Sequence, residues 1–564
     1  MTHAASGRSL AYGALVAEAA ALAPAAPAAG PALRDPRRWT LLGTSPPRLD
    51  VPSKTDGSAR FGLDVRVPGM KVATVLRCPV FGGKVRRFDA APALALAGTL
   101  GEVKVLEVTH GVAVVAKDTW SALKAREAVK VEWDEGPLAA LTDASISARY
   151  AELARGPAAV FRKAGDGAAA LARAARRLEA VYETPYLAHA TMEPMNCTAD
   201  VRADRCTVWV GSQNASNVQR RAAEITGLPP EAVRVENQYL GGGFGRRSET
   251  DFVTDAVEVS KAIGAPAQVV WTREDDMRHD WYRPATYHVL RAGLGADGAP
   301  LAWTHRLVGP PIIARFAARA IRDGVDPTSI DWAENMPYAF AHLECDTINH
   351  DPGVPVGWWR AVSATQNAFA IECFLDELAH AGGRDPLELR RALLHGHPRH
   401  LAALERVAKE IGWGRALPAG RGLGLALVES FESIVAQAVE VSVTDGAVKV
   451  HRVECAVDCG TVIHPDLVVT QMHSGILFGL TSALHGDITI DRGRVAQRNF
   501  DDYPVMRMSE CPRIEVHLIP SGDPVGGIGE VGVPPAAPAL VNAVFAATGK
   551  RVRRLPIRAE ALRG

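Results

Sequence analysis

The sequence predicts an α+β chain in three folded parts, a small α/β domain followed by two larger mixed α+β domains. Three observations lead there. At 564 residues the chain is too long for a single hydrophobic core. From Lys54 onward, short alternating or continuous apolar runs interleave with segments of helical period. Turn-forming residues punctuate these runs throughout, with 51 glycines and 37 prolines.

Residues 1–18 read as one short helix, and Ala21–Pro36 (ALAPAAPAAGPALRDP) as an extended linker, so 1–38 stand apart. Arg60–Gly69, Met70–Cys78, Glu102–Val108, Gly111–Asp118 and Ala128–Gly136 read as strands. Between the last two, Asp118–Val129 has helical period, with Asp118 or Thr119 as its cap. Residues 39–150 thus form the small domain. Residues 140–180 are alanine-rich and predict helix, broken at Ala164–Ala170. From Leu178 strands alternate with strong helices, and Ser248–Gly264 and Ala368–Gly383 are each closed by glycine. A change of texture at Gly412–Ala426 separates 151–410 from 411–564.

Charge excludes several classes. The 63 basic residues balance 63 acidic ones, which leaves no electrostatic footprint for nucleic acid. Eight scattered cysteines make neither a disulfide framework nor a C-x2-C metal site, and Cys455 and Cys459 read as buried small hydrophobes. The first residues carry no basic stretch ahead of an apolar core, so no export signal is read, and no long apolar run predicts a membrane span.

Three segments carry candidate chemistry. Val233–Leu240 predicts a strand running into Gly241–Gly245, with a helix from Ser248. Glycines allow close backbone approach and a helix start offers N–H groups to an anion, with Arg246 and Arg247 adding charge; a plain tight turn is the alternative. Trp358, Trp359, Arg360 and Gln366 combine aromatic walls, a cation and an amide, as pockets do, although a Trp pair packing an Arg stem would look alike. Glu530, in Gly-Ile-Gly-Glu-Val-Gly ahead of Pro534-Pro535, is one ionisable group on a stiffened path, the support a base requires. His395, His397 and His400 read as a solvated helix end, and Asp275-Asp276 as a surface turn. No Gly-x-Ser-x-Gly or His-Glu-x-x-His supports a hydrolase.

Together LGGGFGRR, GVPVGWWR, TMEPMNCTA, AVDCGTVIHPD and GGIGEVGVPPAAPALVNAVFAATGK resemble, in order, the large molybdopterin-binding subunit of the xanthine dehydrogenase/aldehyde oxidase family. The branch it resembles is that of the isoquinoline 1-oxidoreductase beta subunit, from about Trp39 to the end. The resemblance implies a hammerhead-like first domain and two molybdopterin-binding domains. By position it makes Gln213, Gly242, Gly243, Phe244, Gly245, Arg360 and Gln471 cofactor contacts. Trp358, Trp359 and Gln366 line the substrate pocket, Glu530 is the base beside the metal, and no side chain ligates the metal directly. Arg246-Arg247 stand where xanthine dehydrogenases often have a lysine after the glycines.

The implied reaction is hydroxylation of an aldehyde or of a carbon beside a ring nitrogen, with water as oxygen donor. The implied cofactor is a molybdopterin cytosine dinucleotide with molybdenum. Electrons would leave through iron–sulfur clusters on a separate small subunit, with a cytochrome c as candidate acceptor. Relatives of this branch carry a further N-terminal Gly-Gln-Gly segment, often with an export signal. Neither is found in this sequence, so either a start placed further upstream or a separate chain is the expected source of that piece, and periplasm and cytoplasm both stay open. The competing reading is a non-catalytic remnant that serves only assembly.

Overall fold

The computed structural model describes residues 1–22 and 34–563. Most of the linker reading falls on residues 23–33, outside the described residues. The first helix is Tyr12–Ala21, so the N-terminal expectation is correct in kind and displaced in position. Helix makes up 34% and strand 27%, an α+β composition with no closed barrel.

A seven-stranded sheet runs in the order Val233–Asn237, Cys206–Val210, Asn196–Val201, Ala267–Val270, Lys71–Leu76, Gly111–Ala116, Lys104–Val108. Its last three strands come from residues 39–150 and join the rest through a parallel pairing that sets Lys71 opposite Ala267. The boundary drawn at residue 150 falls inside the helix Asp143–Leu153, and that at 410 in the last turn of Pro398–Ile411. Asp118 caps the helix Thr119–Ala128, accepting from the Ser121 N–H at 2.7 Å.

A five-stranded sheet includes Ala159–Ala164, paired with His342–Asn349. This corrects the all-helical reading of 140–180: Ala-rich helices flank a strand that its partner fixes. Arg60–Gly69 is not a strand either. Its carbonyls at Gly62, Leu63 and Val65 accept from the Gln268 side chain, and Gly62–Asp64 closes into a 3-10 turn.

A four-stranded sheet, Arg421–Ser430, Ser433–Thr444, Ala447–Asp458 and Arg513–Leu518, packs against the helices Ala364–Ala381 and Ala536–Thr548. Contact with the second helix is close because Gly424 lacks a side chain; a Cβ there would stand 2.1 Å from the Ala543 nitrogen. Ala364–Ala381 is buried on nearly all sides, and its charges are met by Arg390, Arg551 and Arg553. Pro465–Leu484 is long and apolar enough to cross a bilayer by length and composition. Here its Met472, Ile476 and Leu480 pack into the core, while Gln471 and Ser474 turn toward the loops described next.

Candidate active site

The glycine loop Gly241–Gly245 follows the Val233–Asn237 strand. Gly242 and Gly245 adopt φ of 101° and 112°, which a side chain would strain. At Gly245 there is also no room: a Cβ would stand 1.3 Å from the Trp358 carbonyl oxygen. Beneath the loop, Glu193 accepts from the Gly241 N–H at 2.9 Å and from Arg247 Nη2 at 2.8 Å. Arg247 also donates to the carbonyls of Gly242, Gly211 and Glu193, and Arg246 pairs with Asp251 and Asp280.

Both guanidiniums are therefore buried and neutralised. They do not add charge for a ligand as the sequence suggested, because a desolvated cation must find an anion inside the fold. The following helix begins at Asp251, after a 3-10 turn over Arg246–Ser248, and not at Ser248. What the loop offers is backbone: the N–H groups of Gly242, Gly243 and Phe244 have no partner among the described residues. Gln213 accepts from the Gly245 N–H at 3.0 Å, which leaves its amide NH2 unpaired among the described residues.

The second loop leads from Gly353 into the helix Ala364–Ala381. Trp359 is buried, donates to the Ala188 carbonyl at 3.2 Å and stacks on Phe478 at 4.6 Å between centroids. Phe478 in turn stacks on Phe244 at 4.8 Å, joining the two loops. Trp358 is half-buried and stacks on the exposed Phe316. The two tryptophans thus serve different surroundings.

Arg360, 7% exposed, has no carboxylate in ion-pair contact among the described residues. It donates to the Gly529 carbonyl at 2.9 and 2.6 Å, to Gln471 Oε1 at 3.0 Å and to Ser474 Oγ at 2.9 Å. Burial lowers its pKa, with the Glu530 charge opposing. Ala361 and Val362 adopt φ of 71° and 46° without being glycines, a strain of about 1–3 kcal/mol each. That conformation directs the Ala361 N–H to Glu530 Oε2 at 2.7 Å. Burial raises the Glu530 pKa, while this hydrogen bond and the Arg360 charge act against the rise.

Gln213, Gly242, Gly243, Phe244, Gly245, Arg360, Gln471 and Glu530 are thus linked through two loops, one helix and the segment after Gly526. Gln366 is not among them. It is buried, accepts from the Thr365 hydroxyl, and lines a small void with Thr286, Leu307 and Ser329. Its place in the helix turns it toward the five-stranded sheet, which spacing alone did not reveal.

Asp275 and Asp276 are buried ion-pair partners of Arg126 and Arg273, not a surface turn. Cys455 and Cys459 are buried free thiols. His400 meets Glu429, and no cluster able to hold a metal ion occurs among the described residues. Sequence reasoning gave no role to Glu193, His189, Ser474 or Phe478. Glu193 had a usable signal as the one carboxylate in TMEPMNCTA, but Phe478 is simply one apolar residue in an apolar helix.

Among the described residues, the backbone N–H groups of Gly242–Phe244, the Gln213 amide NH2 and one Glu530 oxygen are thus left without partners in one place, beside a guanidinium that meets only neutral oxygens. Molybdopterin cofactor-binding domain families match residues 153–394 and 423–512. Isoquinoline 1-oxidoreductase subunit beta of Brevundimonas diminuta is 33% identical, over 94% of this chain and 71% of that protein. A membrane-bound aldehyde dehydrogenase (pyrroloquinoline-quinone) of Gluconacetobacter polyoxogenes is 30% identical, over 92% of this chain and 72% of that one. Quinoline 2-oxidoreductase from Pseudomonas putida 86 shares the fold, with a TM-score of 0.74 at 16% identity over 92% of this chain and 97% of that one.

The chain belongs to the molybdopterin-binding subunits of the xanthine dehydrogenase/aldehyde oxidase family, in the branch of isoquinoline 1-oxidoreductase subunit beta. It is the large, molybdenum-binding subunit of a molybdenum-dependent oxidoreductase that works with partner subunits.

Proposed function

We propose that this subunit hydroxylates an aldehyde or a carbon beside a heteroaromatic nitrogen, with water as oxygen donor. In this reading it binds molybdopterin cytosine dinucleotide and delivers electrons to a separate iron–sulfur subunit, then to a cytochrome c. The observation that carries it is Glu530, a half-buried carboxyl whose Oε2 is fixed by the Ala361 N–H while Oε1 has no partner among the described residues.

The residues fit such a group. Gln213 and the Gly242–Phe244 N–H groups are donors with nothing inside the fold to satisfy them, which suits electronegative ligand atoms. When bound, the molybdenum–pterin group supplies two-electron oxidation and the transfer of a water-derived oxygen. Arg360, anchored by donating to Gln471 and Ser474, also donates to the Gly529 carbonyl and so fixes the segment that carries Glu530. Glu530 takes a proton at Oε1, and burial raises its pKa above the ordinary carboxylate value, which strengthens it as a base. The Trp358–Phe316 pair offers an aromatic wall and supports a flat substrate.

The assembly-only reading is not favoured, because the relatives are themselves oxidoreductase subunits. Purified with its partner subunits, the protein should carry molybdenum and a cytosine-dinucleotide pterin near one per chain and oxidise isoquinoline or an aromatic aldehyde. Absence of both metal and pterin defeats the proposal.

A further inference from the structure

His189, 1% exposed, lies against both loops, its Nε2 3.1 Å from where a Gly245 Cβ would stand. Its Nδ1 is 2.9 Å from Asp280 Oδ1, and its backbone N–H donates to Asp280 Oδ2 at 2.6 Å. Its Nε2 is 3.0 Å from the carbonyl oxygen of Trp358. A carboxylate and a carbonyl are both acceptors, so each ring nitrogen must bring a proton.

The charges around the ring agree. The guanidinium that meets Asp280, Arg246, is shared with Asp251. Asp280 Oδ1 also accepts from the Trp281 N–H, while the Tyr282 hydroxyl accepts from the Asp280 backbone N–H.

We propose that His189 is a buried imidazolium that locks the glycine loop and the tryptophan loop in register. The Trp358 carbonyl it holds fills the space left by the missing side chain of Gly245. Three residues on, the same loop presents the Ala361 N–H to Glu530. His189 is therefore a positioning residue: it acts on Glu530 through Trp358–Ala361 and on Phe244 through Gly245. This inference deepens the proposed role of Glu530, and one arm of its test is independent of that role.

That arm is 15N NMR of the full-length protein labelled at histidine, with the His189 resonances identified by their loss in His189→Gln. Both ring nitrogens should show protonated shifts at neutral pH, as two acceptor partners require. One unprotonated nitrogen at neutral pH overturns the proposal whatever Glu530 does. In the second arm, His189→Gln in the assembled enzyme keeps one donor and loses the other. The acid limb of kcat/KM should move to higher pH, because Glu530 loses a well-aimed N–H, and kcat should fall roughly tenfold or more with KM nearly unchanged. An unmoved acid limb with unchanged kcat overturns it. If His189→Gln does not fold, Asp280→Asn supplies the same readouts, since removing the carboxylate should release the Nδ1 proton.

Discussion

The two loops of the site both carry arginines and use them in opposite ways. Under the glycine loop, Arg246 and Arg247 are buried against Asp251, Asp280 and Glu193 and shape the backbone above them. In the tryptophan loop, Arg360 is nearly as buried but donates only to neutral oxygens of Gly529, Gln471 and Ser474. Backbone chemistry divides in the same way. The first loop uses glycine for two of its left-handed positions, 242 and 245, and holds one side chain there, Phe244 at φ of 56°, while the second places two, Ala361 and Val362. The first region satisfies its guanidiniums with carboxylates inside the fold, while the second meets its guanidinium with neutral oxygens.

Glu530→Gln tests the second region most severely. In the assembled enzyme turnover should drop by about 10²–10⁴-fold with cofactor retained. Stability at neutral pH should not fall, because burial disfavours the charge that is removed. Unchanged turnover would take Glu530 out of the reaction.

Arg247→Met tests the first region. It strands Glu193, 8% exposed, without its cation and should cost about 3–5 kcal/mol in denaturant unfolding. Arg360→Met leaves no carboxylate in contact, only oxygens that accepted its protons, and should cost roughly 1–3 kcal/mol. Its larger effect should be on kcat. Equal stability losses in the two variants would erase the distinction.

The smallest expected effect is in the pH dependence. Burial pushes the Asp251 carboxyl up, but the Arg246 charge overcomes this and holds it at about 2. Its contribution to stability is complete above the unfolded value of 3.8 and is lost as pH falls through about 2. Glu530 has the opposite sign: its raised pKa means that ionisation costs stability as pH rises through the carboxylate range, and the cost vanishes in acid. Urea midpoints from pH 2 to 7 should therefore lose their steepest acid dependence in Arg246→Met and change only slightly in Glu530→Gln.

Much of this candidate site could be proposed before any fold was known. The glycines, Phe244, Arg360 and Glu530 stood in motifs whose order carried the family, and Gln213 and Gln471 were placed by position within the resemblance. Gln366 was misplaced because spacing puts a residue on a helix without saying which neighbour that helix meets. Asp275 and Asp276 looked solvated because their cations are remote or only later shown to be buried: Arg126 lies on a helix of the first domain.

What the sequence by itself determined was the α+β class, the family, the glycine-permitted backbone and the identity of the ionisable groups, all properties of residue type and local order. Only the tertiary structure decided which arginines are spent inside the fold and which faces the site. It also set Trp359 and Phe478 between the loops and placed His189 behind them. The reason is physical: a charge takes its role from its desolvation and its partner, and those partners lie tens to hundreds of residues away along the chain.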